Sequence, residues 1–426
     1  MTIVDTPERR QLRELTRAFV TREVLPHLAD WERAGEVPRE LHATAAKIGL
    51  LGVGFPESVG GSGGDLLDSI IVTEEIIRSG GSSGLVAALF THGIALPHMV
   101  AAAGGRLGGT LGNRLVGTEG AESLGNPGGT GSPAGFGGPA STGSPGNLGS
   151  ADDLIDRYVR PTLAGTMIGA LAITEPDTGS DVASIRTHAR LDGDHYVVNG
   201  AKTYITSGVR ADFVTTAVCT GRPGSGALSL LVIDKGTPGF TVGRRLEKLG
   251  WHCSDTAELS LVDVRVPVAN RIGEEETAFL AIMQQFATER LSLATQAYAI
   301  AQRCVDLAVT WCRDRSTFGR PLASRQLVRH RLAEMHTRAE AARAYVHQVA
   351  ARVVAGEPVV TEVAMAKNVA VAASDWVVDQ ALQLHGGFGY LRDAEVERHY
   401  RDARILGIGG GTTEIMNEIV AKGIGL

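Results

Sequence analysis

Cysteine is scarce in this chain. Its 426 residues include four, Cys219, Cys253, Cys304 and Cys312, with no CxxC pair and no zinc-ligand spacing. That pattern argues against a disulfide framework and a cysteine-built metal site, so reduced thiols and no metal are expected. Basic charge is lacking too: the formal net charge is -6, which argues against nucleic acid or an anionic membrane as the main partner. No apolar run is long enough to cross a bilayer. The first ten residues lack the basic-then-apolar layout of a signal peptide. A Rossmann fingerprint is also missing, because Gly60-Gly61-Ser62-Gly63-Gly64 follows no parallel strand. These absences together lead us to expect a cytoplasmic protein with no membrane insertion.

The chain is long enough for two or three domains. Residues 6–100 read as helical, with apolar and charged positions alternating at helical spacing from Arg10 to Trp31 and from Leu67 to Ile77. About a third of residues 104–150 are glycine, and Thr-Gly-Ser-Pro occurs there twice, at 130–133 and 142–145. Such a stretch buries too little apolar surface to offset its ordering entropy, so a flexible loop is expected. As a coil it would span roughly 40 Å root-mean-square. From Gly165 to about Val268 the pattern changes to β-branched runs between turn residues, as in Leu228-Ser229-Leu230-Leu231-Val232-Ile233. Asn199-Gly200, taken alone, is also simply a good hairpin turn. Helical spacing returns after Asn270 and lasts to Val420. The expected fold is α+β: an N-terminal helical domain (1–164), a middle, β-barrel-like domain (165–270) and a C-terminal helical bundle (271–426).

One carboxylate stands where an apolar residue belongs. Phe279, Ile282, Met283 and Phe286 recur at helical spacing as one buried stripe that Leu293 continues. Glu289 falls on that stripe. An unpaired buried carboxylate costs several kcal/mol or has its pKa pushed upward. Arg290 is a poor partner, because neighbours in sequence point about a hundred degrees apart on a helix. The placement suits a general base facing a dry pocket.

Five further motifs, in this order, resemble the acyl-CoA dehydrogenase family over nearly the whole chain apart from the glycine-rich insert. Ile173-Thr174-Glu175-Pro176-Asp177-Thr178-Gly179-Ser180-Asp181 looks like the family's TEPxxGSD segment. The resemblance implies FAD as cofactor, with Ile173 and Thr174 against the isoalloxazine. Gly179 would allow close backbone approach, and Ser180 would offer a hydroxyl to phosphate or substrate. Asn199-Gly200-Ala201-Lys202-Thr203-Tyr204-Ile205-Thr206 resembles the second flavin strand, with Tyr204 where relatives place Trp or Phe and Thr206 beside the ring. Arg315-Ser316-Thr317-Phe318-Gly319-Arg320 with Gln326 resembles the segment that reaches the neighbouring subunit's flavin. There Arg315 would meet the pyrophosphate through paired N–H groups. Gln383-Leu384-His385-Gly386-Gly387-Phe388-Gly389-Tyr390 resembles the glycine turn that closes over that FAD. The fifth motif is Gly409-Gly410-Gly411-Thr412-Thr413-Glu414, whose Gly409 would touch substrate and whose Thr412 and Glu414 fall in the cofactor set; Glu414 also opens a helix, favouring its dipole.

This last motif departs from most relatives, which carry the catalytic Glu where Gly410 stands. The resemblance is therefore to the isovaleryl-CoA and long-chain sub-group, in which the base comes from the position matched by Glu289. It implies that Glu289 takes the α-proton, flavin N5 takes the β-hydride and the Gly410 N–H stabilises the thioester oxyanion. Phe286 would pack near the pantetheine and Arg290 would support the loop or CoA region. Ala287 replaces an Asp common in relatives. An acyl-CoA or acyl-carrier-bound substrate, an electron-transferring flavoprotein acceptor and a homotetramer follow from the same likeness, with a lean towards branched or longer acyl groups. A flavin oxidase or monooxygenase on the same fold, and a silent thioester-binding subunit, are the alternatives.

Overall fold

The computed structural model describes residues 6–104, 151–222 and 226–426. The glycine-rich segment expected as a loop lies outside them.

Helices come first. Thr6 caps the opening helix, Pro7–Phe19, by accepting from the Arg9 N–H, and Pro7 takes the first turn, where a missing N–H costs nothing. The Leu66–Arg78 helix starts with a capping box in which Asp65 and Asp68 each accept from the other's backbone N–H. Strands follow: β1 (Gly169–Ala172), β2 (His188–Asp192), β3 (His195–Thr206), β4 (Phe213–Cys219), β5 (Leu228–Asp234), β6 (Phe240–Arg245), β7 (Thr256–Pro267) and β8 (Arg271–Ile272). They form one sheet in the order β6-β7-β3-β2-β4-β5-β8, with β1 parallel to β4.

Asn199-Gly200 is not a hairpin turn. It lies inside β3, where pairing with β7 slips register between Val198 and Gly200. The β2–β3 turn instead uses Gly193, at φ +65°. Long-range pairing with β7 overrides the local Asn-Gly preference.

The C-terminal part is a bundle around a 37-residue central helix, Ala278–Asp314. Its fully buried Ala294, Ala297, Ala301 and Ala308 belong to a core shared with the Gln326–Val354 and Val360–His385 helices. The first turns of this helix leave the bundle and face the sheet. There Ile282 is buried, while Phe279, Met283 and Phe286 are only half-buried. The stripe expected to be fully buried therefore has one open side, and that side is a cavity wall.

Candidate active site

A cavity of about 1090 Å³ lies between the sheet, the start of the central helix and the loop before the last helix, Thr413–Gly423. It brings together Ile173, Thr174, Gly179, Ser180, Tyr204, Thr206, Phe286, Glu289, Arg290, Gly409, Gly410 and Thr412. Segments more than two hundred residues apart in sequence thus share one wall.

Glu289 is half-buried and makes no hydrogen bond or ion pair among the described residues. Burial pushes its carboxyl above the ordinary carboxylate value, and the charges of Arg290 and Lys367 pull part of the way back. Gly410 stands opposite, at φ +62°. A Cβ there would come 2.5 Å from Leu293 Cδ1 and 3.5 Å from Glu289 Oε1. The space a side chain at 410 would use is therefore held by Leu293 and Glu289. Neither the Gly410 nor the Gly411 N–H has an acceptor among the described residues.

Two buried cations hold this loop. Arg290 donates through Nε to the Gly410 carbonyl at 3.3 Å and lies over the Phe286 ring, 5.6 Å from its centroid. Lys367, on the Val360–His385 helix and 1% exposed, donates to the Gly409 carbonyl at 2.5 Å and to the Gly411 carbonyl. Burial lowers the Lys367 pKa to about 8, with Glu289 opposing the drop, and lowers that of Arg290 to about 10.

The TEP turn is pinned from behind. Lys202 Nζ donates to Glu175 Oε1 at 2.8 Å and to the Ile173 carbonyl at 3.0 Å, and the Arg186 and Thr187 N–H groups also donate to Glu175. Burial disfavours the Glu175 anion, yet the Lys202 charge and these donors hold its pKa below the ordinary value. Burial prevails at Lys202, whose pKa falls to about 8. Glu175 is thus a brace and not a base. Tyr204, 69% exposed at φ +59°, turns its ring into the cavity mouth from a second register slip in β3.

The remaining candidates stand elsewhere. Arg315, Phe318 and Gln326 sit at the far end of the central helix, and Gln383, Gly386 and Gly387 lie beside them. Trp311 links the two segments, stacked on Phe388 at 4.9 Å and on His385 at 5.1 Å. Glu414 is exposed in the first turn of the last helix, off the cavity; its own backbone N–H and the Thr412 side chain keep its pKa below the ordinary value.

Sequence reasoning missed Lys367 and Trp251. Lys367 carried the signal that exposed Glu289, a charge on an apolar helix face beside Val363, Ala366 and Ala370. Trp251 lines the cavity at φ +54°. Its N–H donates to Asp402 at 2.7 Å and its indole N–H to Ser83 at 2.8 Å, partners no local pattern reveals.

Comparison with known proteins decides the family. The acyl-CoA dehydrogenase N-terminal, middle and C-terminal domains match residues 6–106, 170–264 and 279–425. The chain belongs to the acyl-CoA dehydrogenase family. It is 35% identical to the long-chain specific acyl-CoA dehydrogenase of Sus scrofa mitochondria, over 97% of this chain and 85% of that protein. A probable acyl CoA dehydrogenase from Mycobacterium abscessus, of known crystal structure, is 57% identical with a TM-score of 0.87, covering 99% of both chains. The acyl-CoA dehydrogenase of Geobacillus kaustophilus is 33% identical with a TM-score of 0.84, covering 100% of both. As an acyl-CoA dehydrogenase the chain is an oxidoreductase acting on CH–CH bonds, with FAD as cofactor. The cavity fits that group. It offers the exposed Tyr204 ring, and the Thr174 and Thr206 hydroxyls have no partner among the described residues. Six cationic side chains line it (Arg244, Lys248, Arg290, Arg401, Arg404, Lys422) against four acidic ones (Asp181, Glu247, Glu289, Glu418), a positive excess suited to phosphates. No single helix among the described residues is long and apolar enough to cross a membrane, and all four cysteines are free and buried.

Proposed function

We propose that this acyl-CoA dehydrogenase converts an acyl-CoA thioester to its trans-2-enoyl form, with Glu289 as base. The observation that carries this reading is the pairing of Gly410 with Glu289, because the cavity has room for one carboxylate there and that carboxylate comes from the central helix. FAD, when bound, supplies the acceptor for the β-hydride at N5. Glu289 removes the α-proton, aided by burial that raises its proton affinity. The Gly410 N–H, without an acceptor among the described residues, stabilises the oxyanion that forms on the thioester carbonyl. Phe286, Gly409 and Ser180 line the cavity, where the first two would border the thioester and Ser180 the carrier, and Arg290 steadies the loop.

Ile173, Thr174, Gly179, Tyr204, Thr206 and Thr412 would hold the flavin from this chain, with Glu414 the outermost member. Arg315, Phe318, Gln326, Gln383, Gly386 and Gly387 would hold it from a second copy, within a homotetramer. An electron-transferring flavoprotein would then reoxidise it. CoA or an acyl-carrier protein can present the thioester. The domains would run 1–164, 165–270 and 271–426, and the free thiols accord with a cytoplasmic setting.

The test is anaerobic mixing of the FAD enzyme with a panel of acyl thioesters, following loss of visible flavin absorbance. Glu289→Gln should bind flavin and substrate yet reduce the flavin at least ~100-fold more slowly, the scale of a lost general base. Normal bleaching by that variant refutes the assignment. Oxygen consumption without any carrier would point to an oxidase instead.

A further inference from the structure

The loop that carries the proposed oxyanion donor is three consecutive glycines, Gly409, Gly410 and Gly411, with φ +62° at Gly410 and +93° at Gly411. Glycine accepts either sense of a peptide plane at little steric cost, so nothing inside the loop decides which way its N–H groups point. The decision comes from outside. A trans peptide is planar, and its C=O and N–H point in opposite directions. Lys367 Nζ takes the Gly409 carbonyl at 2.5 Å, so the N–H of the same peptide unit, which belongs to Gly410, is turned the other way. Arg290 fixes the next peptide by taking the Gly410 carbonyl at 3.3 Å, and Lys367 takes the Gly411 carbonyl as well. With these three carbonyls held by cations, the Gly410 and Gly411 N–H groups are left without acceptors among the described residues, in a loop that lines the cavity.

We propose that Lys367 is a positioning residue for the reaction, aiming the Gly410 N–H at the thioester oxygen by anchoring the two carbonyls that flank Gly410. The inference rests on the Glu289 and Gly410 reading above. Without the Lys367 anchor the 409–410 peptide is free to flip, which would present a carbonyl dipole to the developing oxyanion. Lys367 also brings a positive charge near Glu289, balancing the base without touching it.

A 3-oxoacyl-CoA tests this without turnover. Its β-carbon is a carbonyl and has no hydride to give, while its α-proton is acidic enough for the bound enolate to be titrated by ultraviolet absorbance. In the wild-type FAD enzyme the bound ligand should enolise at a pH well below that of the free ligand. In Lys367→Met the apparent pKa of the bound ligand should rise by about 2, the ~100-fold loss typical of one oxyanion donor. FAD content and affinity for the un-ionised ligand should stay within threefold. Lys367→Arg, which keeps N–H donors and charge, should recover most of the loss, and the Arg variant alone carries the test should the Met variant not fold. Lys367→Met enolising at the wild-type pH, or Lys367→Arg behaving as Met does, overturns the positioning role. A wild-type enzyme that does not promote enolisation overturns the underlying Glu289 and Gly410 reading instead.

Discussion

At the scale of single residues, Glu289 and Gly410 are two ends of one steric choice. A side chain at 410 would collide with Leu293 and crowd the Glu289 carboxylate, so a second acid there would need rebuilt surroundings. The chosen acid costs stability. Burial raises the Glu289 pKa, so the folded chain binds this proton more tightly than the unfolded chain does. For a carboxylate shifted this way, folding is favoured most at pH below the ordinary 4.5, and the advantage is lost as pH rises through the folded value. Glu289→Gln should therefore melt at a higher temperature than the wild type near neutral pH, in the substrate-free FAD enzyme, with the gap closing towards acid. Scanning calorimetry across pH 4 to 8 measures this; a variant less stable than the wild type throughout that range would show that the attraction of Arg290 and Lys367 for Glu289 outweighs its burial. The same shift places the acid limb of wild-type kcat/KM above the ordinary carboxylate range.

At the scale of elements, one device appears twice. A buried lysine from one element grips backbone carbonyls of a loop and so orients the peptide groups the cavity uses: Lys367 on 409–411, and Lys202 of β3 on the TEP turn. The Thr203 N–H adds a bond to the Thr174 carbonyl at 2.9 Å, fastening the turn to β3 along its length. Removing one member of a buried ion pair strands the other, at a cost of about 3–5 kcal/mol. Lys202→Met should show a loss of that size by urea unfolding and should shed FAD on gel filtration, while Glu175 keeps its two backbone donors. Retention of flavin at wild-type stability would mean the turn holds its shape without the lysine. This device also marks the limit of what the sequence discloses. The helix–strand–helix order was plain from periodicity, and Glu289 from a charge on an apolar stripe. Lys367 bore the same local mark, but its meaning lies in carbonyls 42 and 44 residues away. Asn199-Gly200 shows the converse, a strong local turn signal absorbed into a bulge because β7 supplies a partner on the other side.

At the scale of the whole molecule, the motifs fall into two clusters that one chain does not join. Glu289 and Arg315 are 26 residues apart in sequence, roughly 39 Å along a helix rising 1.5 Å per residue. No bend is needed to see that Arg315 and Phe318 do not serve the cavity of their own chain. Around them lies bare apolar surface: Phe318 is 95% exposed at φ +50°, Tyr390 83% and Leu327 75%. A bulky side chain held in a left-handed conformation and covered only by the Arg325 guanidinium, 5.5 Å from the ring centroid, carries both strain and apolar hydration, and a covering surface offsets the second. The Trp311 stack onto His385 and Phe388 gives this patch a rigid base, as a contact surface requires. If a second copy covers it, Phe318 is an anchor of the contact, and anchors of this kind cost about 2 kcal/mol or more on truncation. Phe318→Asp should lower the mass measured by light scattering at micromolar concentration and release FAD in parallel, whereas Arg315→Ala should release FAD with the mass unchanged. Phe318→Asp leaving both mass and flavin intact would refute the two-copy site, and would require the flavin to be held entirely by residues around the Glu289 cavity.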